Sequence, residues 1–265
     1  MVACLWISLD GSVPELHDKF RGVPGSHTRT LEAIYWANEY HLPIQVGTTI
    51  SKRNLHDLEN IANLLKNFRI VLWSLFLLVP TGRGQLDDLP SAAEVERVFG
   101  QMYRLAKDVP FKIKTTEAQH YRRFVLQQRC NEAAGAPMPN LINGAEQSIP
   151  GLLPINDGKG FVFVSHTGEV FPSGFLPISG GNVRQQTLTD IYRNSKLFQS
   201  LRDSSNLKGK CGRCEFRELC GGSRARAYAI TGDCFAEEVC CVYQPTPAAV
   251  ASDTIKRFSR TLPAT

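Results

Sequence analysis

An α/β architecture followed by a small α+β part is expected for this chain, and three observations carry that expectation. Short β-rich runs alternate with amphipathic stretches through the first half. The alternation stops after about residue 130, in a segment rich in proline and glycine. Beyond it lies a tight group of cysteines. Residues 3–9, 44–50, 70–79 and 111–115 read as strands. The first and third are almost continuously apolar, which suits parallel strands buried on both faces. Residues 30–39, 55–67 and 92–107 carry apolar side chains at helical spacing, as in Leu58, Ile61, Leu64 and Leu65. Ser91 followed by Glu94 is the start signal of a capping box, and a further helix is expected over 117–131. The resulting strand–helix order implies a parallel sheet with right-handed crossovers.

Residues 132–154 read as a linker. After them, residues 160–171 suggest a hairpin about a Thr-Gly turn, and residues 188–201 a helix. The boundary is expected near 145–155, giving parts 1–145 and 146–265. The first strand, if it opened the sheet, would present an apolar edge that natural sheets avoid.

Composition narrows the functional classes. Net charge is +5, and the basic residues are scattered except for Arg224 and Arg226. A nucleic-acid surface normally needs a clustered basic stripe, so that partner is not expected. No secretory signal is visible, and the apolar run at 70–80 is about half of what a bilayer crossing requires. A cytoplasmic protein without a membrane partner is the expectation. In that compartment, close cysteines favour a metal over disulfides.

Eight cysteines are present. Cys211, Cys214 and Cys220 are spaced C-x2-C-x5-C, with Cys240 and Cys241 twenty residues further on. Two thiolates on one tight turn, a third returning from the next turn and a fourth from a distant loop suit a 4Fe–4S cluster. The same four ligands could build a structural zinc site. Gly221 and Gly222 would let the backbone pass close to the metal centre.

Several stretches resemble a known family. Ser8-Leu-Asp-Gly11, His17-Asp-Lys-Phe-Arg-Gly22, Gln45-Val-Gly-Thr-Thr-Ile50 and Val79-Pro-Thr-Gly-Arg-Gly84 are similar to later strands and turns of radical S-adenosylmethionine barrels. Gly168-Glu-Val-Phe-Pro-Ser-Gly174, Gly181-Asn-Val183, the cysteine group and Ala236-Glu-Glu-Val-Cys-Cys-Val-Tyr-Gln-Pro245 resemble the SPASM or twitch domain, with heme-related radical enzymes similar in pattern. The resemblance implies a partial (β/α) radical SAM barrel, C-terminal strands only, followed by a small α+β SPASM/twitch domain. It implies reductive cleavage of S-adenosylmethionine to a 5′-deoxyadenosyl radical, then hydrogen abstraction from a tetrapyrrole or peptide.

The implied metal ligands are Cys211, Cys214, Cys220 and Cys241. Cys241 is preferred because Cys241-Val-Tyr-Gln-Pro245 resembles the family's closing motif, and Cys240 is the adjacent alternative. Arg224 stands where a C-x3-C continuation would place a further cysteine, and Ser173 replaces another, so one auxiliary cluster is implied. Ser8 and Arg21 are the implied S-adenosylmethionine ligands, holding its carboxylate. The plainer expectation is that Ser8 caps a strand and Arg21 pairs with Asp18. Residues 47–49 and 80–84 would shape a ribose and adenine pocket. Lys112, Lys114 and Glu117 would face substrate carboxylates or form a solvated strand end. The six histidines show no metal-binding spacing, and no residue is assigned a catalytic role.

The family also uses a C-x3-C-x2-C motif, and this chain has only Cys4 and Cys130 before the C-terminal group. The expectation is an N-terminally truncated member, inactive alone, whose partners are a missing N-terminal half and a small-molecule or peptide substrate. The alternative is a non-enzymatic iron–sulfur or zinc-binding partner module.

Overall fold

The computed structural model describes residues 4–132 and 154–245. The chain divides into two compact units, Met1–Ala118 and Gln119–Thr265. The sequence-based boundary at 145/146 and most of the expected linker lie outside the described residues. No helix among those residues is long and apolar enough to cross a membrane.

The first unit is a four-stranded parallel sheet in the order β1-β2-β3-β4, with β1 Leu5–Ser8, β2 Ile44–Ile50, β3 Leu72–Leu77 and β4 Lys112–Thr116. Its register gives the two faces opposite character. Ile7, Val46, Trp73 and Ile113 form one cross-strand row, and Val46 and Trp73 are wholly excluded from solvent. Ser8, Gly47, Ser74 and Lys114 form the next row, on the other face. Alternation along each strand produces this segregation. α2 Ser26–Glu39 packs on β1 and β2, and α3 Leu58–Leu65 lies beside α4 Ala92–Asp108, which packs on β4. The buried stripes are Leu58, Ile61 and Leu65 on α3, and Val95, Phe99 and Met102 on α4. At the start of α4 the capping box is complete, with Ser91 and Glu94 each bonded to the other's backbone N–H.

Two departures from the sequence expectation bear on the site. A helix α1, Pro14–Arg21, precedes α2, and α2 starts four residues before residue 30. Pro14 suits a first helical turn, and Gly22 ends α1 in the left-handed region at φ 71°. Asp18 then accepts hydrogen bonds from the Gly25 and His27 N–H groups and the Ser26 hydroxyl. Asp18 is thus spent on the α1–α2 turn and does not take Arg21.

In the second unit, α5 Tyr121–Glu132 is followed by a three-stranded antiparallel sheet. Its strands are β5 Phe163–Val164, β6 Glu169–Phe171 and β7 Gly181–Asn182. The expected hairpin is β5–β6, and β7 adds a strand too short to carry a sequence signal. The helix expected over 188–201 is two, α6 Leu188–Asn194 and α7 Lys196–Arg202, separated by an extended Ser195 at φ −62° and ψ 132°. Val170, Ile191 and Phe198 close a small core beneath the sheet. The short α8, Gly209–Arg213, and α9, Arg224–Thr231, flank the cysteine-bearing turns.

Candidate iron–sulfur site

Cys211 lies on α8, Cys214 terminates it, Cys220 follows the next turn, and Cys241 arrives on the returning tail. All four line one cavity, together with His120, Arg123, Lys210 and Tyr243. Each thiol also accepts a backbone N–H. Glu238 and Gly222 donate to Cys211 and Cys220 at 3.3 Å each, and Phe216 and Tyr243 donate to Cys214 and Cys241. Three of these donors lie two residues after the cysteine they serve, a pattern that aims the sulfur inward. Cys240 does not line the cavity; it is 1% exposed and turned into the unit's interior.

Burial pushes all four thiols up, Cys214 to about 12, and mutual repulsion adds to this for Cys214 and Cys220. Lys210 and Arg123 beside Cys241, and Arg224 and Lys210 beside Cys211, pull the other way. Thiols in such a place stay protonated until a metal displaces the protons. Among the described residues, no preformed group of three His, Cys, Asp or Glu side chains is drawn together around a metal position. The four thiols surround a volume instead. Four thiols on one cavity are the donor set of a 4Fe–4S cluster, and the same donors serve a structural zinc.

The surrounding turns are fastened by buried polar groups. The Asn156 amide donates to the Cys220 and Gly222 carbonyls, and Arg122 donates to the Leu219 carbonyl. Asp157 accepts the Arg224 and Ala225 N–H groups at the start of α9. Arg224 and Arg226, the one basic pair noted in the sequence, are interior, 2% and 0% exposed. Arg224 donates to the Cys234 and Ala236 carbonyls, so it ties α9 to the tail in the place where a cysteine was sought. Ser173 is buried too, its hydroxyl accepting the Phe175 N–H. Gly221 and Gly222 are left-handed at φ 66° and 65°, and a Cβ on Gly222 would lie 2.8 Å from the Glu238 Cβ. The glycine thus serves Glu238 packing as well as the N–H donated to Cys220. Gly222→Ala is expected to cost on the order of 1–3 kcal/mol, measured by urea titration of the metal-free chain.

In the first unit, Ser8 ends β1 and is half-buried beside Gly47. Arg21 pairs with Asp10 at 2.5 Å, and Asp10 is wholly buried with its other oxygen on the Thr49 N–H. Burial raises the Asp10 pKa, and Arg21 offsets part of that rise. Asn54 donates to the Asp10 and Thr49 carbonyls, and Thr48 to the Leu9 carbonyl, fixing the loop after β1. Residues 47–49 are thus turned partly to internal fastening, and the Trp6 indole lies over Gly47, where a Cβ would meet it at 2.7 Å. In the loop after β3, Arg83 donates to the Arg21 carbonyl. Lys112 and Lys114 are exposed, whereas Glu117 is buried and left-handed at φ 54°.

Two histidines unconnected by sequence spacing meet here. The His17 and His27 rings are 5.7 Å apart, and His17 Nδ1 accepts the Asp10 N–H. Burial, Arg21 and His27 push His17 down to about 4. A histidine held neutral in the fold contributes stability that is complete above its unfolded pKa of roughly 6.5 and is lost as pH falls from there towards about 4. His17→Asn is expected to flatten stability against pH across that window. Comparison with the parent isolates the effect from Asp10, whose burial acts in the opposite sense.

Comparison with known proteins gives the family. Residues 156–215, which include Cys211 and Cys214, match the SPASM family, described as an iron–sulfur cluster-binding domain. AdoMet-dependent heme synthase of Methanosarcina barkeri is 43% identical over 241 residues, covering 91% of this chain and 68% of that protein. The chain belongs to the radical SAM/SPASM family. A second member, AdoMet-dependent heme synthase of Nitratidesulfovibrio vulgaris, is 40% identical over 90% of this chain and 64% of its own length. This radical SAM/SPASM chain thus spans about two thirds of the curated relatives it matches. The same fold is seen in SuiB of Streptococcus suis bound to S-adenosylmethionine, with a TM-score of 0.65, 13% identity and coverage of 91% of this chain and 54% of that one. Membership in this family establishes iron–sulfur binding by its SPASM domain.

Glu238, Arg226, His120 and Asn156 were not found by sequence reasoning. Glu238 stands three residues before Cys241, but nothing in the string marks it as more than surface charge.

Proposed function

We propose that this chain holds one 4Fe–4S cluster on Cys211, Cys214, Cys220 and Cys241, and serves a radical S-adenosylmethionine reaction on a tetrapyrrole. The observation that carries the ligand set is the cavity lined by these four thiols, each accepting a backbone N–H. When bound, such a cluster supplies one-electron transfer or direct contact with substrate. The chain's own contribution is to bury the thiols, keep water from the sulfurs, and offset negative charge with Arg123, Lys210 and Arg224. The tetrapyrrole is supported by the names of the relatives at 40% identity and above. Those relatives do not favour a non-enzymatic module.

Ser8 and Arg21 are proposed to hold the S-adenosylmethionine carboxylate. Ser8 ends β1, and Arg21, the last residue of α1, is paired with Asp10 just beyond the C-terminal end of that strand, the end at which parallel-sheet active sites assemble. Lys112 and Lys114, exposed on β4, would meet carboxylates of the substrate. Cys4 and Cys130 cannot supply the C-x3-C-x2-C thiolates, so no residue of these 265 is assigned the radical-generating step. Cys241→Ser is expected to cut iron content after anaerobic reconstitution, and Cys240→Ser to leave it near the parental level. The reverse result would reassign the fourth ligand. Formation of 5′-deoxyadenosine by the chain alone would overturn that reading of the radical step.

A further inference from the structure

A buried ion pair stands at the wall of the cysteine cavity, which Glu238 itself lines. Glu238 and Arg226 are 1% and 0% exposed, and Arg226 Nη1 stands 2.7 Å from Glu238 Oε2. The same carboxylate accepts two backbone N–H groups, from Ser223 at 2.9 Å on Oε2 and from Cys240 at 3.0 Å on Oε1. Its own backbone N–H goes to the Cys211 sulfur. Arg226 is fixed in turn, because its N–H bonds the Ser223 hydroxyl at the start of α9. One residue therefore joins the turn after Cys220, the helix after that turn, the sulfur of Cys211 and the backbone immediately before Cys241.

Burying a carboxylate is costly, and a paired, hydrogen-bonded one is retained where it fixes geometry. Here burial works against the charged form of Glu238, and Arg226, His120 and the two N–H groups offset that burial. The bond to Cys240 N–H is the informative one. It orients residue 240 so that its thiol turns inward to the protein while that of the next residue faces the cavity.

Resting on the cluster reading, we propose that Glu238, clamped by Arg226, is a positioning residue. It holds the tail in register so that Cys241, not Cys240, presents the fourth thiolate before any metal arrives. Outer groups that orient metal ligands commonly change metal retention by roughly 10- to 100-fold when removed. A purely structural ion pair would alter melting and leave the ligand count of the cluster intact.

The test uses the 265-residue chain reconstituted anaerobically with iron and sulfide. Parent, Glu238→Gln, Arg226→Lys, Cys241→Ser and, as a control, Asp157→Asn are each oxidised briefly well below their melting temperatures. The fraction of cluster converted to the three-iron form is read by electron paramagnetic resonance, and loss to a chelator is followed optically. Glu238→Gln is expected to behave like Cys241→Ser, with a raised three-iron fraction and loss roughly 10- to 100-fold faster. Arg226→Lys should fall between it and the parent. Asp157→Asn, which loosens the start of α9 without touching the tail, should melt earlier and keep the parental fraction. If Glu238→Gln does not fold, Arg226→Lys decides alone. Variants that melt early but match the parental three-iron fraction overturn the proposal. A parent that takes up no iron and sulfide sinks the cluster reading and this proposal with it.

Discussion

Cys220→Ser is expected to abolish the iron–sulfur absorbance of the reconstituted chain, while Cys234→Ser leaves it in place. The two cysteines make a fair comparison because both thiols are raised by burial. They differ in what surrounds them. Cys220 faces the other three cavity thiols and takes the Gly222 N–H, and its carbonyl is held by Asn156. Cys234 lies outside the cavity, and its carbonyl serves only as an acceptor for Arg224. A serine hydroxyl is a far poorer iron ligand than a thiolate, so the effect at position 220 should be close to all-or-none. Iron content and visible absorbance, measured on both variants after identical reconstitution, check it. Equal loss in both would mean that folding, not ligation, controls the signal.

Trp73→Ala is expected to destabilise the first unit by about 3–5 kcal/mol. Trp73 is 0% exposed at the centre of the sheet, between Val46 and Ile113 in register, and packs edge-on against Phe111. Its indole N–H donates to the Thr48 hydroxyl at 2.8 Å, and Thr48 donates onward to the Leu9 carbonyl at 2.6 Å. Removing the ring therefore leaves a cavity and also loosens the loop that carries Asp10, the partner of Arg21. Trp73→Phe keeps most of the volume and forfeits the hydrogen bond, so a loss of about 1–2 kcal/mol is expected. Urea unfolding followed by circular dichroism separates the two. Trp6 and Trp36, both exposed, supply an independent fluorescence signal in each variant.

The parallel sheet was legible because short β-rich runs alternate with stretches of helical periodicity; β2 coincides with the run read from the sequence at 44–50, and β3, apolar but for Ser74, lies within that at 70–79. The capping box at Ser91 was legible because its chemistry is local, contained within four residues. What escaped lacks such signals. α1 contains four charged residues in eight and a single buried side chain, His17, so its apolar periodicity is faint. The break at Ser195 carries neither glycine nor proline. In the site, three cysteines were visible from spacing because they share one short stretch of chain. The Glu238–Arg226 pair and the Asn156 and Asp157 bonds span 12 to 68 residues, and residue type alone made the two arginines look like surface charge.

The most direct measurement is the metal and sulfide content of the anaerobically reconstituted chain, read together with its Mössbauer spectrum. One cluster on Cys211, Cys214, Cys220 and Cys241 requires iron and acid-labile sulfide in equal amounts, about four of each per chain, with every iron in a sulfur-rich tetrahedral environment. A chain that instead binds about one zinc without sulfide, or that keeps its full parental iron content after Cys241→Ser, would contradict it.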